Sequence, residues 1–278
     1  MLRYVECPRD SWQGLSRFIP TETKIAYLQA LLDAGFKYLD MGSFVSPRAV
    51  PQLADTEEVL AGLGVPKDAH LLCIIANERG LERALGAQNL QAVGYPLSVN
   101  DTFQRRNTNR SLDESWDLLK EMYEATKPKL ELVIYLSMGF GNPYGERWFP
   151  EDTARAVEKL REMGVQDIAL ADTVGTASPE LIQKVLSQIE KPETLGLHLH
   201  ARPYDWQEKL ERALELGISW FEGALAGIGG CPFAKDDLTG NLPTEQVLPF
   251  LCQKLDESLR IRLPPLTEQA SQLATTYQ

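Results

Sequence analysis

The feature that most limits what this chain can fold into is an eightfold alternation. Short apolar, β-branched or aromatic runs are followed by longer segments of helical period, without a break to about residue 258. The runs predict strands at about 3–7, 37–42, 70–75, 92–98, 130–137, 166–171, 195–200 and 218–222. The segments between them predict helices at about 20–34, 51–62, 78–86, 111–126, 150–163, 178–189, 206–216 and 244–257. Local chemistry supports these boundaries. Ser111 with Glu114 forms a capping box, and Ser178 precedes Pro179 at a first helical turn. Gly35, Gly164 and Gly217 end apolar-periodic stretches as C-caps. Eight such units in about 250 residues predict an α/β fold, a (β/α)8 (TIM) barrel, over a doubly wound sheet with one misread strand. The barrel domain is placed at residues 1–262, and the polar stretch 263–278 is a tail or a short helix.

Composition narrows the function. A chain of 278 residues buries roughly three quarters of its unfolded surface, so its core needs no structural metal or disulfide. The 39 acidic against 28 basic side chains give a net charge of −11, the wrong sign for a nucleic-acid surface. Four scattered cysteines suggest a reducing compartment, and no apolar run is long enough for a membrane span. The N-terminal segment lacks the apolar stretch of a signal peptide, so a cytoplasmic protein is expected.

In a barrel of this kind the active site is built at the C-terminal ends of the strands. Polar residues collect there. Strand one ends in Glu6-Cys7-Pro8-Arg9-Asp10, and strand two carries Asp40 and then Ser43. Strand four leads to Ser98 and Asn100, strand five holds Ser137, strand six ends in Asp172-Thr173, and strand seven holds His198 and His200. Two of the chain's three histidines therefore sit at i and i+2 on one strand, with both rings on one face. Such a pair is suited to metal ligation, and Asp10 supplies a carboxylate across the barrel mouth. The alternative is two hydrogen-bonded barrel residues. Two imidazoles with oxygen donors suit an octahedral Mg2+ or Mn2+ better than zinc. His70, at the opposite end of its strand, reads as structural.

Cys231 lies in a glycine-rich segment of roughly 20 residues after strand eight, a length typical of binding loops or lids. A buried packing thiol is ordinarily the better reading of such a cysteine, but in a glycine-rich loop over a barrel mouth it is the weaker one. Arg9 offers a fixed cation beside Asp10. Arg105, Arg106 and Arg110 form a basic cluster in an acidic chain, which suits a phosphate-bearing substrate or a solvated loop.

These residues bear a family likeness. The anchors are Glu6-Cys7-Pro8-Arg9-Asp10, Gln13, SFVSPRAVPQLADTEEVL from Ser43 to Leu60, Asp172-Thr173-Val174-Gly175, His198-Leu199-His200, and AGIGGCPFA…TGN-x-x-TE from Ala226 to Glu245. Over about residues 3–250 the chain resembles the 3-hydroxy-3-methylglutaryl-CoA (HMG-CoA) lyases. These belong to a metal-dependent barrel superfamily of lyases, aldolases and Claisen-type synthases. The resemblance implies cleavage of HMG-CoA to acetyl-CoA and acetoacetate. A related aldolase or Claisen-type enzyme is the alternative, and a non-catalytic binding barrel a further one. It implies Asp10, His198, His200 and Asn241 as metal ligands, Arg9 as the cation opposing enolate charge, and Cys231 as the acid/base thiol. Asp10 or His198 would take the hydroxyl proton. Asp40 stands where these lyases usually carry Glu. Gln13, Ser43, Ser137, Asp172, Thr173, Arg105 and Arg106 are the substrate-binding candidates, the substrate being an acyl-CoA. A homodimer is expected by the same resemblance.

Three departures bear on the exact substrate. Ala201 replaces the Asp of an H-x-H-D motif, with Asp205 a candidate substitute. The segment from Cys231 to Asn241 has one residue more than usual and contains Asp236 and Asp237. Asn142 stands where many relatives have Cys.

Overall fold

A computed structural model describes residues 1–229 and 239–278. Among the described residues ten strands run in order: β1 (Arg3–Glu6), β2 (Tyr38–Ser43), β3 (His70–Ile74), β4 (Ala92–Ser98), β5 (Glu131–Ser137), β6 (Asp167–Ala171), β7 (Gly196–His198), β8 (His200–Ala201), β9 (Trp220–Gly223) and β10 (Gly240–Asn241). Eight of them close a barrel in the order β1-β2-β3-β4-β5-β6-β7-β9, each pair parallel, with β9 returning to β1 from Arg3 opposite Trp220 to Glu6 opposite Gly223. This is the predicted (β/α)8 barrel.

The helices are α1 (Pro8–Trp12), α2 (Thr21–Ala34), α3 (Thr56–Gly62), α4 (Glu78–Gly86), α5 (Asp101–Thr108), α6 (Leu112–Thr126), α7 (Pro150–Glu162), α8 (Pro179–Leu186), α9 (Trp206–Glu215), α10 (Thr244–Lys254) and α11 (Leu263–Tyr277). The expected caps are present. Ser111 and Glu114 close a capping box at α6, and the Ser178 hydroxyl accepts from the Leu181 amide at α8. Gly35, Gly164 and Gly217 take left-handed φ values of 103°, 93° and 85°, which a side chain would resist.

The differences from the sequence reading are local. The helix expected at 51–62 divides into a 3-10 turn, Pro51–Leu53, and α3. The short helices α1 and α5 were not expected. Pro8 can open α1 because its missing N–H is not needed there, and the Asn100 side chain caps α5 by accepting from the Phe103 amide. Residues 263–277 form a full helix that buries Leu263, Leu266 and Ala270. No helix among the described residues is long and apolar enough to cross a membrane.

Two hydrophobic layers result. The larger lies between the sheet and the helices. The smaller, with Val5, Cys7, Leu72, Ala92, Val133, Tyr135, Ala169 and Trp220, fills the barrel. The period of two therefore decides which polar side chains can reach the interior. Val5 and Cys7 point inward, so Glu6 points outward, where its carboxylate accepts from the Leu225 amide at 2.8 Å and the Thr244 hydroxyl at 2.5 Å. Glu6, read as a mouth residue, is instead a buried tie between β1 and α10, and burial pushes its pKa up to about 8. His70 stacks on Tyr38 with ring centroids 5.0 Å apart, at the N-terminal end of β3, as expected of a structural residue.

Candidate active site

Strand seven was expected to run unbroken over 195–200. It leaves the barrel after His198, and β8 pairs antiparallel with β10, setting His200 opposite Asn241. This two-residue ribbon brings a ligand candidate from the end of the chain's long connection to one from strand seven. The rings of His198 and His200 lie 5.2 Å apart at 88°. On the opposite side, Pro8 starts α1 immediately after β1, and this turn swings Arg9 and Asp10 over the barrel. A register shift between Asp40 and Gly42 marks a bulge in β2, a common device for re-aiming a side chain beside a site.

The result is one hydrogen-bonded network. Arg9 Nε donates to both oxygens of Asp40 at 3.2 and 3.0 Å, and Arg9 Nη2 also contacts Asp40. Arg9 Nη1 donates to Asp10 Oδ1 at 2.8 Å and to Gln13 Oε1 at 3.2 Å. Gln13 Nε2 donates to Asp10 Oδ1 at 2.6 Å, and Asn241 Nδ2 donates to Asp10 Oδ2 at 2.7 Å and to the Ile228 carbonyl at 2.9 Å. Burial alone would raise the Asp10 pKa, but the charges of Arg9, His198 and His200 and the Asn241 hydrogen bond bring it down to about 2. Asp40 is raised because its burial outweighs Arg9. Gly229, at φ 91°, allows this approach: a Cβ there would lie 2.7 Å from the Asp10 carbonyl and 2.9 Å from Asn241 Nδ2.

Asp10, His198 and His200 present ligand atoms within 4.8 Å of one another, all buried. Two further atoms make the case for a cation. His200 Nε2 and Asn241 Oδ1 are buried with no hydrogen-bond partner among the described residues, a costly arrangement unless a ligand meets them. A second triad, Cys7, His198 and Glu222, meets the same distance criterion. It fits a cation poorly, because the Glu222 carboxylate is already engaged: it lies 2.9 Å from His198 Nδ1 and accepts from Tyr135 Oη and Trp220 Nε1, each at 3.2 Å. Burial raises the Cys7 thiol well above its ordinary value, so it is not a ready thiolate.

Each histidine has a different backing. His198 meets the Glu222 carboxylate, and His200 Nδ1 lies 2.7 Å from the Asp172 carbonyl. Burial lowers the His200 pKa to about 4, helped by the neighbouring His198. For His198 the hydrogen bond and charge of Glu222 overcome burial and raise it.

A family model described as "HMGL-like" matches residues 6–259. The chain belongs to this family. It is 33% identical over 267 residues to the hydroxymethylglutaryl-CoA lyase of Bacillus subtilis, spanning 95% of this chain and 88% of that protein. It is 33% identical over 256 residues to a 3-hydroxy-3-isohexenylglutaryl-CoA/hydroxymethylglutaryl-CoA lyase of Pseudomonas aeruginosa, covering 90% and 84% of the two chains. An HMG-CoA lyase from Acinetobacter baumannii, solved with coenzyme A and 3-methylmalate, superposes with a TM-score of 0.88 at 31% identity, covering 99% of this chain and 90% of that one.

In this HMGL-like chain the remaining sequence candidates fall around the network. Ser43 and Ser137 are buried at the ends of β2 and β5. The Asp172 carboxylate accepts from the Thr176 and Ala177 amides at 2.8 and 3.1 Å, and burial raises its pKa to about 6. Thr173 Oγ1 accepts from the Met138 amide at 2.8 Å, where Met138 has a left-handed φ of 59°. Arg105 and Arg106 do not join the network. They are exposed on α5, Arg105 paired with Asp101 at 2.7 Å and Arg106 over the Tyr144 ring at 4.8 Å. Arg110 pairs with Glu78 at 2.8 Å. Cys231, Asp236 and Asp237 lie outside the described residues.

The departures acquire structural meaning. Asp205 does not touch His200: it accepts from the Arg202 amide and lies 3.8 Å from Lys209, and buried Lys209 donates to the His200 carbonyl at 2.8 Å. Asn142 shapes its own loop, accepting from the Tyr144 and Glu146 amides at 3.0 and 3.3 Å. Glu222 was missed by the sequence reading. Its signal was a single carboxylate inside the apolar strand Trp220-Phe221-Glu222-Gly223, with the same parity as inward-facing Trp220.

Proposed function

We propose that the chain cleaves 3-hydroxy-3-methylglutaryl-CoA to acetyl-CoA and acetoacetate. The observation that carries this reading is the pair of unpartnered buried atoms, His200 Nε2 and Asn241 Oδ1, beside Asp10, His198 and the Arg9 cation. Family membership supports the reaction class, and the coenzyme A complex of the Acinetobacter baumannii relative supports a thioester substrate.

Asp10, His198, His200 and Asn241 are the residues that would hold a divalent cation, Mg2+ or Mn2+. When bound, the cation supplies Lewis acidity toward the C3 hydroxyl and the distal carboxylate of the substrate. Arg9 is held by Asp40, Asp10 and Gln13 before any substrate arrives, so its charge needs no reorganisation as the thioester oxygen becomes an enolate. His198 has Nδ1 on Glu222, so its Nε2 serves either as ligand or as base. Asp10 or His198 receives the hydroxyl proton. Cys231 takes by resemblance the role of proton donor to the enolate carbon.

The coenzyme A phosphates need cations against a net charge of −11. Arg105 is committed to Asp101, whereas Arg106 and Arg147 rest on the Tyr144 and Phe149 rings and form no ion pair among the described residues, which suits both to phosphate. By resemblance the chain acts as a homodimer.

Incubation of the protein with Mg2+ or Mn2+ and HMG-CoA should release acetoacetate and acetyl-CoA in equal amounts. No acetoacetate with any divalent cation would overturn the proposal.

A further inference from the structure

We infer that Glu222 is a positioning residue that fixes the tautomer of His198 and so presents Nε2, and not Nδ1, to the cation site. The inference rests on the ligand set proposed above.

A carboxylate inside a barrel needs a reason. Glu222 is 1% exposed, and the interior around it is otherwise Val5, Leu72, Ala92, Val133 and Ala169, with the Cys7 thiol 4.0 Å from Oε2. Its two oxygens divide the work. Oε1 accepts from Tyr135 Oη and Trp220 Nε1, each at 3.2 Å, and Oε2 meets His198 Nδ1 at 2.9 Å. Trp220 Nε1 can only donate, so the Oε1 side demands an acceptor. An ionised carboxylate is an acceptor at both oxygens, and Nδ1 must then carry the ring proton. The lone pair is left on Nε2. The clamp spans three barrel strands, since Tyr135 lies on β5, His198 on β7, and Trp220 and Glu222 on β9. His200 receives the same service from a neutral group, the Asp172 carbonyl. One ligand histidine is thus backed by a charge and the other by a dipole.

Glu222→Gln separates this role from packing, because the amide has the same shape. Its carbonyl oxygen will turn to Trp220 Nε1, which can only donate, and the Tyr135 hydroxyl can donate to it as well. Its NH2 then faces Nδ1, which must accept, and the ring proton moves to Nε2. Outer hydrogen-bond partners of metal histidines change affinity by roughly 10- to 100-fold when altered, and a loss of that order in Mn2+ affinity is expected. The wild-type protein offers a readout independent of metal and of activity. Ring 15N shifts of His198 in metal-free protein, above its titration, should report Nδ1–H, and Glu222→Gln should report Nε2–H.

Nε2–H in the wild type, or unchanged tautomer and Mn2+ affinity in Glu222→Gln, would overturn the inference. A Co2+ derivative showing thiolate charge transfer that disappears in Cys7→Ser would also overturn it, by placing the cation between Cys7, His198 and Glu222. If the wild type shows Nδ1–H but binds no Mn2+, the tautomer assignment stands and the ligand set fails.

Discussion

Replacing Arg9 with Met should destabilise the protein in a way that depends on pH, and a second substitution should reverse it. Arg9 is 12% exposed, and its guanidinium lies between Asp40, with no exposed side-chain surface, and Asp10, with 8%. Removing it leaves Asp40 as a buried carboxylate without a counter-charge, a loss of about 3–5 kcal/mol. The sign follows from the proton. Asp40 is already raised by burial against the pull of Arg9, so without Arg9 its folded pKa climbs further above the unfolded value. A raised carboxyl pKa means the folded state binds the proton more tightly, so stability is lost as pH rises above about 4. The deficit of Arg9→Met should therefore be small in acid and grow toward neutrality. Adding Asp40→Asn removes the stranded charge and should recover most of the loss. Turnover should stay depressed about 100- to 1,000-fold, because the cation that opposes enolate charge is still missing. Urea unfolding of the wild type, both single variants and the double variant across pH measures the first part, and acetoacetate release the second. A deficit below about 1 kcal/mol that is flat with pH, or no recovery with Asp40→Asn, would refute the reasoning.

Glu6 gives a second pH test. Its folded pKa of about 8 against an ordinary 4.5 should cost about 5 kcal/mol between those two pH values, stability falling as pH rises, and Glu6→Gln should flatten the curve in denaturant titrations. Arg106→Ala and Arg147→Ala should each raise KM for the thioester roughly two- to five-fold with kcat unchanged, while Arg105→Ala does less; steady-state kinetics at two salt concentrations would show it. Gly229→Ala should abolish Mn2+ binding measured by titration, because the added methyl meets the Asp10 carbonyl and Asn241 at a backbone φ of 91°.

Most of the barrel was legible because each strand is bounded by turn chemistry and buried on both faces, which makes short apolar runs stand out. The histidine pair and Asp10 were legible for a related reason: polar groups at strand ends are the exception to that pattern. Parity explains the errors. Glu6 sits at a strand end but on the outer face, as the inward Val5 and Cys7 would have shown. Glu222 sits on the inner face but inside an apolar strand, so it resembled one polar residue in a core segment. The break after His198 was not legible, because pairing of β8 with β10 joins residues about 40 apart. Asn241 came from family resemblance alone, and its place opposite His200 emerges only from that ribbon.

We propose that Asp10, His198, His200 and Asn241 hold the divalent cation. Electron spin echo spectroscopy of the Mn2+-loaded protein tests it most directly, since bound imidazole nitrogens modulate the echo. Two such nitrogens in the wild type and one in His200→Ala are predicted. Bound Mn2+ with no imidazole nitrogen in its shell would contradict the account.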